Sequence, residues 1–283
     1  MLNDRDFVMY HGTVRRLPFV QQVRAAALLN CGSITIGPYE YRQMTASGVS
    51  ARSLSAIAAD AGVRVTHLDP FVRWVSDWMP EEVSAAFPIE ALNCDEDELY
   101  AIANALELRS FTVAACFPPG RMPISGLVDA FGALCDRAAR HGLRCDMEFV
   151  PFSAIVDLDV AWKIVRGAGA DNGGIMFDFW HYMYSHSSPE LLRSIPGERI
   201  TGVQINDGDA VPPAGMSFID AALSRRKPLG EGSFPIAEIL AVLHDIGGLN
   251  RVGPEIFATE FDSLSAQEIA ARCRPSLDRI AHS

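Results

Sequence analysis

Lysine is almost absent from the sequence, and so is any cluster of basic residues. Lys163 and Lys227 are the only lysines, and 24 basic side chains stand against 35 aspartates and glutamates, which gives a formal net charge of −11. An acidic surface repels phosphate backbones, so we expect no nucleic-acid partner. The sequence also lacks an apolar run of the roughly 18 residues that a membrane span requires, and we therefore expect no membrane partner.

Cysteine pairs at metal-binding or redox spacing are missing as well. No C-x-x-C pair occurs, and no signal-peptide core follows the N-terminal residues, so we predict reduced, mostly buried thiols in a cytoplasmic protein. The six cysteines are Cys31, Cys94, Cys116, Cys135, Cys145 and Cys273. Their scatter argues against both a disulfide framework and a zinc knuckle.

The sequence does contain a regular alternation of short apolar runs and amphipathic segments. Such alternation predicts parallel strands, since each parallel strand needs a crossover. Strands are predicted at 7–10, 33–36, 64–68, 111–117, 145–150, 174–179, 200–206 and 252–257. Eight strand–helix units in a chain near ~250 residues are typical of a closed TIM barrel.

A doubly wound open sheet is the alternative for alternating strands and helices. That fold usually carries a glycine-rich phosphate turn after its first strand. Here the first strand runs into Tyr10-His11-Gly12-Thr13, and no G-x-G-x-x-G turn or P-loop occurs. We therefore predict an α/β protein with a single (β/α)8 TIM-barrel domain over residues 1–283.

Acidic or amide side chains occur near the C-terminal ends of four consecutive apolar strands, where TIM barrels carry their active sites. They are Glu148, Asp178, Gln204 and Glu255. Buried carboxylates that converge on one space repel one another, and a divalent cation removes that repulsion. Oxygen donors of this kind suit Mg²⁺ or Mn²⁺. The alternative, in which each acid pairs separately with an arginine, needs a coincidence at four successive strand ends.

Histidines at strand ends supply further candidates. His181 follows Asp178 by three residues and is expected to hold or polarise a substrate oxygen in the same cavity. His67 and Asp69 follow strand three and His11 follows strand one, so we expect them at the pocket as second-rank residues.

The segment of residues 69–95 is the longest irregular stretch, and it is unusually apolar. We expect such a loop to form a lid over the site, with Trp74 as a substrate contact, or a contact between subunits in a homo-oligomer, and the two need not exclude each other. The alternative is that its side chains simply cover the flank of the barrel. Its large side chains are Phe71, Trp74, Trp78, Met79 and Phe87.

Five short motifs within about residues 140–260 resemble, in order and separation, the sugar phosphate isomerase/epimerase family, the xylose isomerase-like barrels. They are Glu148-Phe149-Val150-Pro151, Asp178-Phe179-Trp180-His181, Val203-Gln204-Ile205-Asn206-Asp207, Gly230-Glu231-Gly232 and Gly253-Pro254-Glu255-Ile256-Phe257. The resemblance implies a divalent metal ion bound by Glu148, Asp178, Gln204 and Glu255. Gln204 stands where the family most often has histidine, which favours a hard ion such as Mn²⁺ or Mg²⁺.

The resemblance also implies residues that contact the substrate. His181 matches the family's substrate-binding histidine, and Arg225 or Arg226 resembles its substrate-contacting arginine, although that run by itself indicates a solvated turn. His67 and Trp74 complete the expected substrate-binding set.

The chemistry implied by the family is proton transfer next to a carbonyl. Glu148 and Glu255 would face opposite sides of a small polyol or sugar-like substrate, one removing a proton and the other returning it. The resemblance therefore implies a metal-dependent isomerase or epimerase of a sugar or related polyol ketone, working through an enediolate. Loss of a β-hydroxyl from that enediolate gives the alternative, a lyase or dehydratase of the keto-inositol or cyclic hydroxy-acid type. The family also includes lyases that cleave the carbon–carbon bond of C-glycosides, and the resemblance leaves this activity open as well.

Two other functions are less consistent with the residues. The nuclease branch of similar barrels needs more histidine ligands and a basic surface, which an acidic chain does not provide. A catalytically silent barrel is disfavoured by the intact set of three acids.

Overall fold

Eight parallel strands form one sheet in the computed structural model, which describes residues 7–79, 89–211 and 214–281. The sheet follows chain order, and each strand is hydrogen-bonded to the next. The strands are β1 (Val8–Met9), β2 (Ser33–Ile36), β3 (Arg64–Phe71), β4 (Ser110–Val113), β5 (Arg144–Glu148), β6 (Gly173–Asp178), β7 (Ile200–Ile205) and β8 (Val252–Pro254). Every one overlaps a predicted strand, and the (β/α)8 barrel is confirmed.

Thirteen α-helices in the described residues alternate with these strands. They are α1 (His11–Val14), α2 (Phe19–Leu28), α3 (Pro38–Ala46), α4 (Ala51–Asp60), α5 (Ile89–Leu92), α6 (Glu96–Leu106), α7 (Ile124–Ala139), α8 (Leu158–Ala168), α9 (Phe179–Tyr184), α10 (Pro189–Ser194), α11 (Phe218–Ser224), α12 (Ile236–Asp245) and α13 (Ala266–Ala281). The short helix α9 follows β6 directly, the short helix α11 lies between β7 and β8, and both lie next to the site described below.

Helix α6 illustrates why these segments are helical. Asp95 caps its N-terminus by accepting a hydrogen bond from the Glu98 amide at 2.9 Å, and Glu107 ends it in the left-handed region at φ 56°. Leu99 and Ile102 lie on its buried face, as their spacing predicts. Burial of each such side chain contributes about 1.5–3 kcal/mol.

The barrel closes where β8 lies against β1. A side chain at Gly253 would place its Cβ 1.6 Å from the carbonyl oxygen of Val8, so only glycine allows this approach. The seam fixes the path of β8 and with it the position of Glu255, the next residue after the strand.

All six cysteines are free thiols, and five of them are buried. The prediction of unpaired, mostly buried cysteines is therefore confirmed. Within the described parts of the chain, no helix combines the length and the apolar character needed to cross a lipid bilayer.

Candidate active site

A cavity of about 400 Å³ opens at the C-terminal ends of the strands. Its charged and imidazole side chains include Asp69, Glu148, His181, Arg226 and Glu255. Each of the five is at most 9% exposed, so their charges interact through the protein interior rather than through water. Asp69 and Glu148 stand in β3 and β5, and Glu255 directly follows β8.

Asp178 ends β6 and caps the short helix α9. Its Oδ1 accepts a hydrogen bond from the His181 amide at 3.0 Å, which begins a helical turn and brings the histidine ring back to the strand ends. His181 Nε2 lies 3.6 Å from Glu148 Oε1. Burial lowers the pKa of His181 to about 4 and outweighs the opposing effect of Asp178, so the ring is neutral near pH 7 and can donate a lone pair.

Glu148, Asp178 and His181 form a possible site for a divalent metal ion. Each offers one ligand atom, and the three atoms lie within 4.8 Å of one another. Two carboxylates and a neutral imidazole are suitable ligands for such an ion. The sequence analysis gave His181 a substrate-binding role, and the structure brings it among the candidate metal ligands as well.

Arg226 is the buried cation at this site. Its Nη1 donates hydrogen bonds to Asp178 Oδ2 at 2.6 Å and to Glu255 Oε2 at 3.1 Å. Burial by itself would lower the pKa of Arg226, but the two carboxylates outweigh it and raise that pKa. Arg225, by contrast, is exposed. The structure therefore brings Arg226 into the site, and the prediction of a solvated turn is wrong for it because its backbone amide binds the Phe257 carbonyl at 3.0 Å.

Gln204 lies in β7 beside Asp178 and is fully buried. Its Nε2 donates a hydrogen bond to Asp69 Oδ2 at 3.2 Å, while its Oε1 has no hydrogen-bond partner. A buried oxygen without a partner costs about 1–3 kcal/mol, and a cation would satisfy it. This orphaned oxygen among carboxylates fits a metal-binding role for Gln204.

Four carboxylates crowd the site, and their pKa values diverge. Burial raises the pKa of Glu148 and of Glu255 well above the ordinary range, and the charge of Asp69 adds to both shifts. Burial also raises the pKa of Asp69 to about 7. In Asp178 the effect of burial is outweighed by the Arg226 guanidinium, which keeps the pKa below its usual value. One buried arginine does not balance four carboxylates, and an added divalent cation would favour their ionised forms.

The structure does not bring His67 into the cavity lining. Its buried ring is held by Ser110 Oγ, 2.6 Å from Nδ1, and by Thr112 Oγ1, 2.7 Å from Nε2. Side chains alternate along a strand, so His67 shares the barrel interior with Asp69 but lies one layer nearer the N-terminal ends. The expectation that His67 contacts substrate is corrected for this reason.

Trp74 packs against the side of the barrel instead of lining the cavity. Its Nε1 donates a hydrogen bond to the Ala114 carbonyl at 2.9 Å, and its ring contacts Phe117 and Phe131. The indole N–H and the ring of Trp74 therefore already have partners inside the protein. The expectation that Trp74 contacts substrate is corrected for this reason.

The other large side chains of that segment differ in their environment. Phe71 is buried in β3, where it packs edge-on against Phe111. The Arg73 guanidinium lies over the Trp78 ring, 5.4 Å from its centre, in a cation–π contact. Met79 is exposed. The predicted Phe87 lies outside the described residues.

The residues after β7 have roles that the sequence analysis did not assign. Asn206 Nδ2 donates a hydrogen bond to Asp178 Oδ2 at 3.2 Å. Asp207 accepts hydrogen bonds from the amides of Gly230 at 2.8 Å and Phe234 at 3.0 Å, and so organises the glycine-containing turn. Both residues stand in a recognised motif, but a sequence motif does not reveal which groups its polar side chains bind.

Comparisons of the sequence and of the structure with known proteins indicate the same family. The sequence matches the family model described as Xylose isomerase-like TIM barrel over residues 23–275. It is similar to the inosose isomerase of Bacillus velezensis, with 27% identity over 149 residues, which are 52% of this chain and 51% of that protein. It is also similar to the 3-dehydroshikimate dehydratase of Pseudomonas aeruginosa, with 30% identity over 136 residues, which are 48% of this chain and 21% of that protein.

The matched region is thus about half the length of the first of these relatives and about a fifth of the second. Among solved structures, the IOLI protein with a bound zinc atom is similar in fold, with a TM-score of 0.80 at 18% identity over 98% of both chains. The family resemblance inferred from the five motifs is confirmed. The chain belongs to the xylose isomerase-like TIM barrel family.

Proposed function

We propose that this protein is a metal-dependent isomerase or epimerase, which moves a proton next to the carbonyl of a sugar or related polyol ketone. The observation that carries the proposal is the convergence of Glu148, Asp178 and a neutral His181, two of which, Glu148 and His181, line the same cavity as Glu255. The similarity to a protein named inosose isomerase supports the same reaction class.

Glu148 and Glu255 carry the proton transfer in this proposal. Burial raises the pKa of both side chains, so each acid is a stronger base than a carboxylate in water. One of them removes the proton from the carbon beside the carbonyl, and the other returns it. The hydrogen bond from Arg226 holds the Glu255 side chain in place for this step.

Glu148, Asp178 and His181 would hold the divalent ion, and Gln204 Oε1 and Glu255 are the further ligands predicted from the sequence. When bound, the ion supplies polarisation of the substrate carbonyl. The oxygen-rich donor set supports Mn²⁺ or Mg²⁺, whereas the His181 nitrogen and the zinc of the IOLI protein support Zn²⁺. We propose Mn²⁺ or Mg²⁺, and metal analysis of the purified protein tests this choice.

A dehydratase is the second candidate function. Removal of the same proton followed by loss of a β-hydroxyl gives an unsaturated ketone without any change of ligands. The similarity to a protein named 3-dehydroshikimate dehydratase favours this candidate specifically. The product, and not the first proton transfer, separates the two functions.

We further infer a cytoplasmic protein with a small-molecule substrate and no nucleic-acid partner. The free thiols fit a reducing compartment, and the charge of −11 opposes binding to phosphate backbones. A homo-oligomer that forms through the 69–95 segment stays a prediction, and a mass measurement in solution tests it.

The experiment that tests the proposed function is hydrogen exchange in D₂O. The protein is stripped with a chelator, reloaded with one metal at a time and incubated with ketoses, inososes and cyclic hydroxy-ketones, and both deuterium incorporation and product are scored by NMR. Glu148→Gln should lower the exchange rate about 10²–10⁴-fold, because it removes a general base. The matched control is Glu190→Gln in α10, on the protein surface. Absence of metal-dependent exchange with every ketone would contradict the proposed function.

A further inference from the structure

One wall of the cavity is a small apolar cluster that is separate from the main core. Val72, Leu92 and Ala114 form this cluster, and all three line the cavity. Each is less than a tenth exposed, and Cys116 and Trp78 pack against them. The three side chains of the cluster offer a substrate apolar contact and no hydrogen-bonding group, and Cys116, which also lines the cavity, adds only a thiol.

The cavity has a second apolar wall, which helix α11 provides. Ile219, Ala222 and Leu223 face the cavity from this helix, and Phe257 completes the wall beyond β8. Of the polar groups described above, the carboxylates stand at or next to the strand ends, His181 lies on α9 and Arg226 lies just after α11. The strand ends therefore form a polar floor of the cavity, and the two apolar clusters lie at its sides.

Three further polar side chains of the described lining each already have at least one partner within the protein. Arg226 is held by two carboxylates, and His11 Nε2 lies 3.2 Å from Glu40 Oε2. Ser153 Oγ accepts a hydrogen bond from the Ile155 amide at 3.2 Å. Among the described residues of the lining, no cation is left to pair with a phosphate or carboxylate on a substrate.

We infer that the natural substrate is an uncharged vicinal hydroxy-ketone whose remote half is apolar, as in a cyclic or aryl-bearing ketol, rather than a sugar phosphate or a fully hydroxylated sugar. This inference rests on the proposed function, which places the hydroxyl and the carbonyl at the polar floor. Every further hydroxyl would lie against Val72, Ala114 or Leu223 and lose its water without gaining a partner. Apolar pockets reject an added hydroxyl by up to about 10²-fold.

A matched pair of unreactive ligands tests the inference without depending on turnover. The compounds cis-cyclohexane-1,2-diol and myo-inositol share a six-membered ring and a vicinal cis-diol, and they differ only in the four remaining hydroxyls. We expect the metal-loaded protein to bind the cyclohexanediol at least about tenfold more tightly than myo-inositol, measured by titration calorimetry or by ligand-observed NMR. Equal or tighter binding of myo-inositol, or of myo-inositol 1-phosphate, would overturn the inference, and so would no measurable binding of the diol.

A substitution in the apolar cluster tests whether that cluster causes the preference for cyclohexanediol over myo-inositol. Val72→Thr keeps the shape of the side chain and adds one hydroxyl, so the ratio of the two dissociation constants should fall several-fold toward one. Val20→Thr is the matched control, because Val20 is exposed in α2, outside the cavity lining. An unchanged ratio in Val72→Thr would count against the assignment of the wall. Failure of the proposed function is seen separately, as absence of D₂O exchange, whereas failure of this inference is seen in the binding ratio.

Discussion

Gln204 and Asp69 are far apart in the sequence, but a hydrogen bond joins them in the structure. The amide nitrogen Nε2 of Gln204 donates to Oδ2 of the Asp69 carboxylate at 3.2 Å. Burial raises the pKa of Asp69 to about 7, and above that pH the carboxylate is ionised and can only accept hydrogen bonds. In this form Asp69 determines which end of the Gln204 amide it faces. The amide nitrogen of Gln204 therefore has a hydrogen-bond partner, whereas its oxygen Oε1 has none. Asp69 therefore orients the neutral Gln204 oxygen that we propose as a metal ligand.

Asp69→Asn tests this orientation. An asparagine amide can donate as well as accept, so it no longer dictates which atom of Gln204 is left over. We expect the affinity for a divalent ion to fall about 10–100-fold, as is typical when a residue that orients a ligand is lost. Calorimetric titration of the stripped protein measures it. Asp159→Asn, a surface change next to Lys163, is the matched control, and unchanged affinity in Asp69→Asn would refute the orienting role.

Gln204→His should change the order of metal preference. An imidazole nitrogen favours Co²⁺, Ni²⁺ and Zn²⁺ more than an amide oxygen does. We expect the wild-type protein to be most active with Mn²⁺ or Mg²⁺ and the variant to shift toward the later metals. The measurement is activity across these ions after chelator treatment. A wild-type protein that already prefers Zn²⁺ strongly, or a variant with the same metal order, would mean that Gln204 is not a ligand.

Arg226→Met should destabilise the protein because it leaves Asp178 and Glu255 without their buried cation. Loss of one partner of a buried ion pair typically costs about 3–5 kcal/mol. Divalent metal should recover part of this loss in the free energy of unfolding, since an ion that binds only the folded state stabilises it. Urea unfolding with and without chelator measures both effects. Arg225→Met, at the exposed neighbouring position, is expected to change little, and a similar loss in both variants would contradict the prediction.

His67 predicts how stability depends on pH. Burial lowers the pKa of His67 to about 3 in the folded protein, whereas an unfolded histidine has a pKa of about 6.5. Between these values only the unfolded state takes up the proton, so the free energy of unfolding falls as pH falls from about 6.5 toward about 3, by at most about 1.4 kcal/mol per pH unit. The contribution of the neutral ring is fully present above about pH 6.5.

Urea midpoints at pH 7, 6, 5 and 4 measure this dependence. His67→Asn retains a side chain that can donate and accept between Ser110 and Thr112 but does not titrate, so its midpoint should fall less steeply over the same range. Parallel curves for the two proteins would show that His67 is not responsible.

The single-domain prediction also has a direct test. A chain with one barrel over its length should unfold in one cooperative transition, seen as coincident fluorescence and circular-dichroism curves. Limited proteolysis that releases two independently folding halves would contradict it.

The strands were predictable because their apolar runs are local signals. The run at 200–206, for example, is apolar, bounded by turn residues and buried over its full length in β7. Strand ends were less predictable: β4 ends at Val113, although the apolar run continues to residue 117. Beyond Val113 the same residues are buried by loops, and composition does not distinguish the two environments.

The site was predictable only in part because its contacts join distant strands. Asp178 and Glu255 stand out as acids in apolar strands, but nothing near Arg226 in the sequence indicates that it lies between them. The expected substrate contacts of His67 and Trp74 were corrected for a related reason. His67 and Trp74 are each satisfied by hydrogen bonds to β4 or to the residue just after it, and a sequence pattern cannot show that a polar group is already taken.

The glycine at the barrel seam limits how the proposed enzyme could acquire a new substrate. Gly253 admits no side chain beside Val8, so β8 cannot shift without opening the barrel, and Glu255 is held to one position by the same constraint. Helix α11 and the segment after β3 are under no such restriction. We expect that variants selected for a new substrate would accumulate changes in these two walls, while the geometry of the acids stays the same.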